Sequence, residues 1–301
     1  MYVPPWYRIK LIRSSRRAPG AYIALVNAPH PTVETLRDWL AGHPRLVVLT
    51  GAGISVESGI PTWRDRDGRW MRNDPIHHGD FVSDPAARRR YWGRSMLGWP
   101  AVREARPNRG HRSLALLEQL GRVELLITQN VDRLHQRAGS RSVVDLHGRL
   151  DRIRCLDCGR QDSREALQRR LEQLNPALGV AGVAALPDGD AALEDHMLRD
   201  FKVPACGHCG GMLMPDVVFF GGTVPGARVK QCMAAIERAD AVLAVGSSLK
   251  VFSGFRFCRH AHRLGKSLAI VNPGATRADE LATARFSAEC GPLLAGAVRA
   301  I

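Results

Sequence analysis

No apolar run in these 301 residues approaches the roughly 18 to 20 uncharged positions that a membrane helix needs. The longest candidate, 177–186, is about half that length and rich in Ala and Gly. A membrane-spanning protein is therefore excluded. Nothing resembles a secretory signal, so the seven cysteines are not expected to form disulfides. Acidic residues are missing from the first 33 positions, which carry Arg8, Lys10, Arg13, Arg16 and Arg17. Residues 1–30 read as a basic tail ahead of the fold, without order of its own.

What remains is an ordinary globular balance, 45% apolar and 24% charged, which rules out disorder, collagen and coiled coil. The net charge of +14 would by itself suggest an acidic partner such as nucleic acid. Its distribution argues otherwise. The tail holds +5, and the segment from Arg88 to Arg112 holds +7, with eight Arg against Glu104 alone. The rest of the chain is nearly neutral. The second cluster reads as a solvated helical face or as a channel for a phosphorylated ligand.

Short β-branched runs alternate with helical patterns, as in a parallel sheet covered on both faces. The runs predict strands at Leu46–Thr50, Val123–Thr128, Val143–Leu146, Val217–Phe220, Ala241–Val245 and Leu268–Val271. Helical periods separate several of them, at Thr32–Ala41, His111–Leu120, Ala227–Arg238 and Gly254–Leu264. The pattern is α/β, a doubly wound, Rossmann-like large domain. Residues of about 151–215 break it, with four of the cysteines and a polar stretch near PDGD (187–190), and read as a smaller inserted module. Four strand ends carry polar or glycine-bearing turns, where such folds bind ligands: 50–53, 128–130, 246–248 and 272–274.

Cys155 and Cys158, and Cys206 and Cys209, form two CxxC knuckles with 47 residues between them. Four thiolates so placed suit one tetrahedral Zn²⁺ with no open position, a structural metal. The run 51–59, with Gly51, Ala52, Gly53 and Ser55 after a strand, suits a phosphate cradle at a helix start, or simply a tight turn. The dehydrogenase fingerprint is incomplete, because no acidic strand end follows about 20 residues on. Gln129, Asn130 and Asp132 after one strand and His147 after the next could orient a sugar and move a proton, although a lone His is also a common structural residue. His135 reads as structural.

These motifs converge. GAGISVESGIPTWRD (51–65), TQNVDRLHQRAG (128–139), LHG (146–148), both CxxC pairs, PDVVFFG (215–221), GSSL (246–249) and VNPG (271–274) resemble the sirtuins in order and spacing, over residues 31–301. IHHGDFV (76–82), YWGRSMLGWP (91–100) and LDRIRCLDCG (150–159) are most similar to class II, the mitochondrial sirtuin-four type and its bacterial relatives.

The resemblance implies an NAD⁺-consuming protein-lysine deacylase that releases nicotinamide and O-acyl-ADP-ribose, with an alkylimidate on the way. Protein mono-ADP-ribosyl transfer from the same NAD⁺ site is the alternative. It implies His147 as general base on a ribose hydroxyl, and Gly51, Ala52, Gly53 and Ser55 around the phosphates. Trp63, Arg64 and Asp65 would belong to the cofactor loop. Gln129, Asn130 and Asp132 would meet the ribose and nicotinamide, and Gly246, Ser247, Ser248, Asn272, Gly274 and Cys290 the adenosine side. Val217, Val218 and Phe219, with Gly254, would clamp the acyl-lysine peptide as an added strand.

Trp63 replaces the usual Phe, and Gly222 stands where many sirtuins have Glu. Arg69 and Met71 occupy the places of the Tyr and Arg that read succinyl groups, so an apolar or longer acyl chain is expected. The expected partners are acylated proteins, with the chain acting as a monomer and with no nucleic acid or membrane. The compartment is the bacterial cytoplasm, or the mitochondrial matrix if the basic start is a transit peptide.

Overall fold

The computed structural model describes residues 32–62, 65, 69, 75–178, 198–299 and 301. The basic tail, Trp63, Arg64, Met71 and the PDGD stretch lie outside the described residues. The Thr32 hydroxyl accepts the Thr35 N–H and so caps α1 (Val33–Ala41). The chain continues through β1 (Leu46–Thr50), a 3₁₀ helix over Ala52–Ser58, α2 (His78–Ser83), α3 (Pro85–Glu104) and α4 (Arg109–Gln119). Next come β2 (Val123–Thr128), α5 (Leu134–Arg137), β3 (Val143–Asp145), β4 (Gly148–Cys155), β5 (Gln161–Ser163), α6 (Arg164–Leu174) and β6 (Leu213–Val217). It closes with α7 (Gly226–Arg238), β7 (Ala241–Val245), α8 (Phe252–Arg263), β8 (Ser267–Val271), β9 (Ala284–Phe286) and α9 (Cys290–Arg299).

Six strands form a parallel sheet in the order β3-β2-β1-β7-β8-β9. The pleat sends Leu46 and Val48 toward side chains of α1, α4 and α9, while Val47 and Leu49 meet α7 and α8. Both faces are covered, so β1 reads as an unbroken apolar run. The order reverses between β1 and β7, a switch point that opens a crevice at the carboxyl ends.

The second sheet is antiparallel, ordered β5-β4-β6. This corrects the expected strand Val217–Phe220. The ladder takes Leu213–Val217, pairing Cys155 with Leu213 and Arg154 with Met214, and tolerates Pro215 because β6 is an edge. Residues 218–220 leave the ladder. The Val218 N–H donates to the His147 carbonyl at 2.8 Å and Phe220 bridges His77. A β-branched run marks extended backbone and does not say which sheet it joins. Strand β9 went unpredicted because three residues are too few to show a period.

The Arg88–Arg112 cluster is mostly helical. Asp84 caps α3 through the Ala86 and Ala87 N–H groups, and Pro85 supplies the first residue. The helix buries Tyr91, Trp92 and Met96 against Ile153, Leu167, Leu171 and Met214. Arg88 donates to the Phe81 and Val82 carbonyls, Arg103 pairs with Glu165, and Arg109 pairs with Glu57. None of the eight arginines lines the large cavity described below, and Arg88, Arg89, Arg90 and Arg94 are half-buried on α3.

Candidate active site

A cavity of about 840 Å³ opens at the switch point. All four polar strand ends reach it: Gly51, Ala52 and Gly53; Gln129 and Asn130; Gly246, Ser247 and Ser248; Asn272 and Gly274. The first and third interlock. The Gly53 N–H donates to the Gly246 carbonyl at 2.8 Å. Gly246 has φ of +60°, and a Cβ there would lie 2.4 Å from the Ile54 nitrogen. Only glycine permits that approach, and it leaves bare backbone at the start of the Ala52–Ser58 helix.

Behind the cradle lies a buried polar network. Ser55 Oγ donates to Asp132 Oδ2 at 2.7 Å and accepts from Asn130 Nδ2 at 3.0 Å. The Asn108 N–H donates to His111 Nδ1 at 3.3 Å, so the ring proton sits on Nε2, which faces Ser55 Oγ at 3.4 Å. Burial holds His111 down to about 4. His135 is buried against Thr50 Oγ1 at 2.9 Å, well below the usual histidine value for the same reason, and its structural role stands. Burial raises the Asp132 carboxyl, against the Leu134 N–H and the Ser55 hydroxyl, which favour the carboxylate.

His147 stands where β3 gives way to β4. Its Nδ1 lies 3.0 Å from the Gln129 carbonyl, which can only accept, so Nδ1 carries the proton. Nε2 therefore holds the lone pair and accepts from Ser253 Oγ at 2.7 Å. Burial depresses its pKa to about 4; the Gln129 carbonyl opposes this, and the Arg228 and Arg256 charges add to it. The imidazole is a neutral base at ordinary pH.

Asp132, Ser55, Asp65, Val217, Val218 and Phe219 also line the cavity. Gly254 does not; it sits so close to the Gln129 amide that a Cβ would fall 2.6 Å from Oε1. Cys290 is buried behind the wall with its thiol toward the Val271 carbonyl, while neighbouring Glu289 lines the cavity.

The Sγ atoms of Cys155, Cys158, Cys206 and Cys209 lie within 4.8 Å of one another. Cys155 and Cys209 are 3.5 Å apart, Cys158 and Cys206 3.9 Å, close to the ~3.8 Å edge of a tetrahedron with Zn–S bonds of ~2.3 Å. The two turns match: Cys155 and Cys206 each accept the N–H of the glycine four residues on. The donor set fits a structural Zn²⁺.

The Sir2 family model matches residues 51–253. The chain belongs to the Sir2 family. It is 51% identical over 266 residues to the NAD-dependent protein deacetylase of Bordetella bronchiseptica, 88% of this chain and 97% of that one. With the NAD-dependent protein deacetylase of Xanthomonas axonopodis pv. citri it shares 52% over 261 residues, 87% and 89% of the two chains. A Sir2 complex with p53 peptide and NAD⁺ superimposes at TM-score 0.69 and 32% identity, covering 87% of this chain and 95% of that one. A histidine-to-alanine Sir2 variant with deacetylated p53 peptide and 3′-O-acetyl ADP-ribose gives 0.74 and 30%, covering 89% and 98%.

In this Sir2-family chain, sequence reasoning missed Ser253 and Arg256, both on α8 and both lining the cavity. The available signal was their position: a hydroxyl and a cation in the first turns of the helix that follows a polar strand end. Among the described residues, no helix is long and apolar enough to cross a membrane.

Proposed function

We propose that the protein is an NAD⁺-dependent protein-lysine deacylase, and the observation that carries this is the hydrogen-bond geometry of His147. Nδ1–H is held by the Gln129 carbonyl, and the basic Nε2 faces the same cavity as the glycine cradle. The names of the Bordetella and Xanthomonas relatives support the same reading. NAD⁺ supplies an electrophilic ribose carbon when nicotinamide leaves. The backbone around Gly51, Ala52, Gly53 and Gly246, with Ser247 and Ser248, holds its phosphates without added charge. Asn272 and Gly274 border the adenosine, and Cys290 supports that wall from behind.

Gln129, Asn130 and Asp132 orient the ribose and the nicotinamide amide, with Ser55 fixing Asp132 and Asn130. His147 Nε2 takes a proton from a ribose hydroxyl. Asp65 lines the cavity, and Trp63, Arg64 and Asp65 would contact the cofactor. Val217, Val218 and Phe219 present backbone and apolar surface to the substrate peptide. Ile60, Val131 and Leu150 give the cavity an apolar floor that suits an uncharged acyl chain. Zn²⁺ on the four cysteines holds the β5-β4-β6 sheet. The bacterial source of these relatives favours the bacterial cytoplasm over the mitochondrial matrix.

Incubation with NAD⁺ and a panel of acyl-lysine peptides should release nicotinamide one-for-one with deacylated peptide. His147→Ala should lower turnover by about 10²- to 10⁴-fold, the usual share of a general base. An equally stable H147A with full turnover would overturn the assignment. ADP-ribose left on an acceptor, with no dependence on acylation, would replace deacylation with protein ADP-ribosyl transfer.

A further inference from the structure

Arg256 lines the reaction cavity, yet among the described residues it makes no hydrogen bond and no ion pair. Its Nε is shut off from solvent without a partner, and its guanidinium stacks on the Phe252 ring, 5.2 Å from the centroid. Arg259, exposed, stands over the same ring at 5.8 Å. A guanidinium stacked on a ring keeps its in-plane donors free, and a partly desolvated cation favours an anion more than a solvated one does.

The helix fixes which anion. Gly254 abuts the Gln129 amide, whose Nε2 donates to Ser247 Oγ on the cradle side. Arg256 follows two residues later, about 200° round the helix, and so faces away from the cradle. It lies within about 60° of Phe252 and Ser253 in projection, the side that holds His147. The projection sets Arg256 on the His147 side of the helix, the side of the substrate, and not on the side of the pyrophosphate cradle. Phe252 is 47% exposed, which puts the pair of arginines at the rim, whereas the apolar floor of Ile60 and Leu150 is buried. A carboxylate at the rim belongs to the peptide flanking the modified lysine and not to its acyl tail.

We infer that Arg256, supported by Arg259, is a carboxylate-binding site that selects acyl-lysine peptides with Asp or Glu beside the lysine. The inference rests on the deacylase reading for the nature of the substrate.

The test uses peptides with one acyl-lysine and either Glu or Gln at each flanking position in turn, measured with the full chain, R256Q and R256K. At one or more positions Glu should lower KM about tenfold relative to Gln, with kcat little changed. That ratio should fall with added salt, collapse toward one in R256Q and persist in part in R256K. Equal KM for Glu and Gln at every position overturns the inference, as does a preference that survives R256Q. A preference of the full chain for glutaryl- over butyryl-lysine that R256Q abolishes, without a flanking effect, also overturns it. If no peptide turns over, the deacylase reading has failed, and fluorescence anisotropy of the same Glu and Gln peptides still decides whether Arg256 binds the carboxylate.

Discussion

The Nδ1–H of His147 is committed to the Gln129 carbonyl, which leaves the Nε2 lone pair as the basic site of the ring. The Ser253 hydroxyl occupies that lone pair at 2.7 Å. A donor to the neutral ring stabilises the base form and adds to the effect of burial, which depresses His147 to about 4. On the deacylase reading Ser253 would be a positioning residue that holds the imidazole until a ribose hydroxyl replaces it. The acid limb of kcat/KM should fall near pH 4 and not near the usual histidine value. Ser253→Ala removes the donor and should move that limb to higher pH, and Ser253→Thr should restore it. A pH–rate profile of the three proteins checks this; a limb that stays in place in S253A would reduce Ser253 to a packing residue.

Strand β4 links the two chemistries at the scale of elements. It starts at Gly148, directly after His147, and ends at Cys155, the first of the four clustered cysteines. Its partner β6 starts beside the zinc knuckles at Leu213 and ends at Val217 on the cavity wall. Loss of the metal should therefore reach the active site through the ladder. Cys206→Ser should reduce bound zinc, lower Tm and cut turnover by more than tenfold, while the parallel sheet retains its circular dichroism. Zinc content, Tm and turnover measured on one preparation test the coupling; full turnover in zinc-free protein would refute it. The knuckles were legible because each CxxC turn is local, and β1, β2 and β7 were legible because both faces are covered. The helix α3 was harder to read, since Arg88 to Arg90, Gly93, Gly98 and Pro100 interrupt its apolar period. Ser253 was legible only by its position in the first turn after a polar strand end, because its contact arises from packing α8 against a histidine 106 residues earlier.

For the molecule as a whole, the buried imidazoles make stability depend on pH. His111, His135 and His147 are all held neutral in the fold, chiefly by burial, while in the unfolded chain they titrate near 6.5. Below that value the unfolded chain binds more protons, so their contribution is fully present above pH 6.5 and is lost as pH falls toward 4. His111 is fully buried and titrates at about 4 in the fold. Linkage gives a loss of roughly 2 kcal/mol from this group alone between pH 7 and pH 5. Asp132 and Asp145 act in the opposite sense, because burial raises them and the fold takes up their protons first. Acid also releases zinc from thiolates, so a fall in stability alone would not identify the histidines. The difference between two proteins does. His111→Gln removes one titrating group from the network, and urea unfolding at pH 7 and pH 5, with zinc content matched, should give the variant a pH-dependent loss smaller by roughly 2 kcal/mol. Equal losses in both proteins would show that the His111 ring is protonated, or never desolvated, in the folded state.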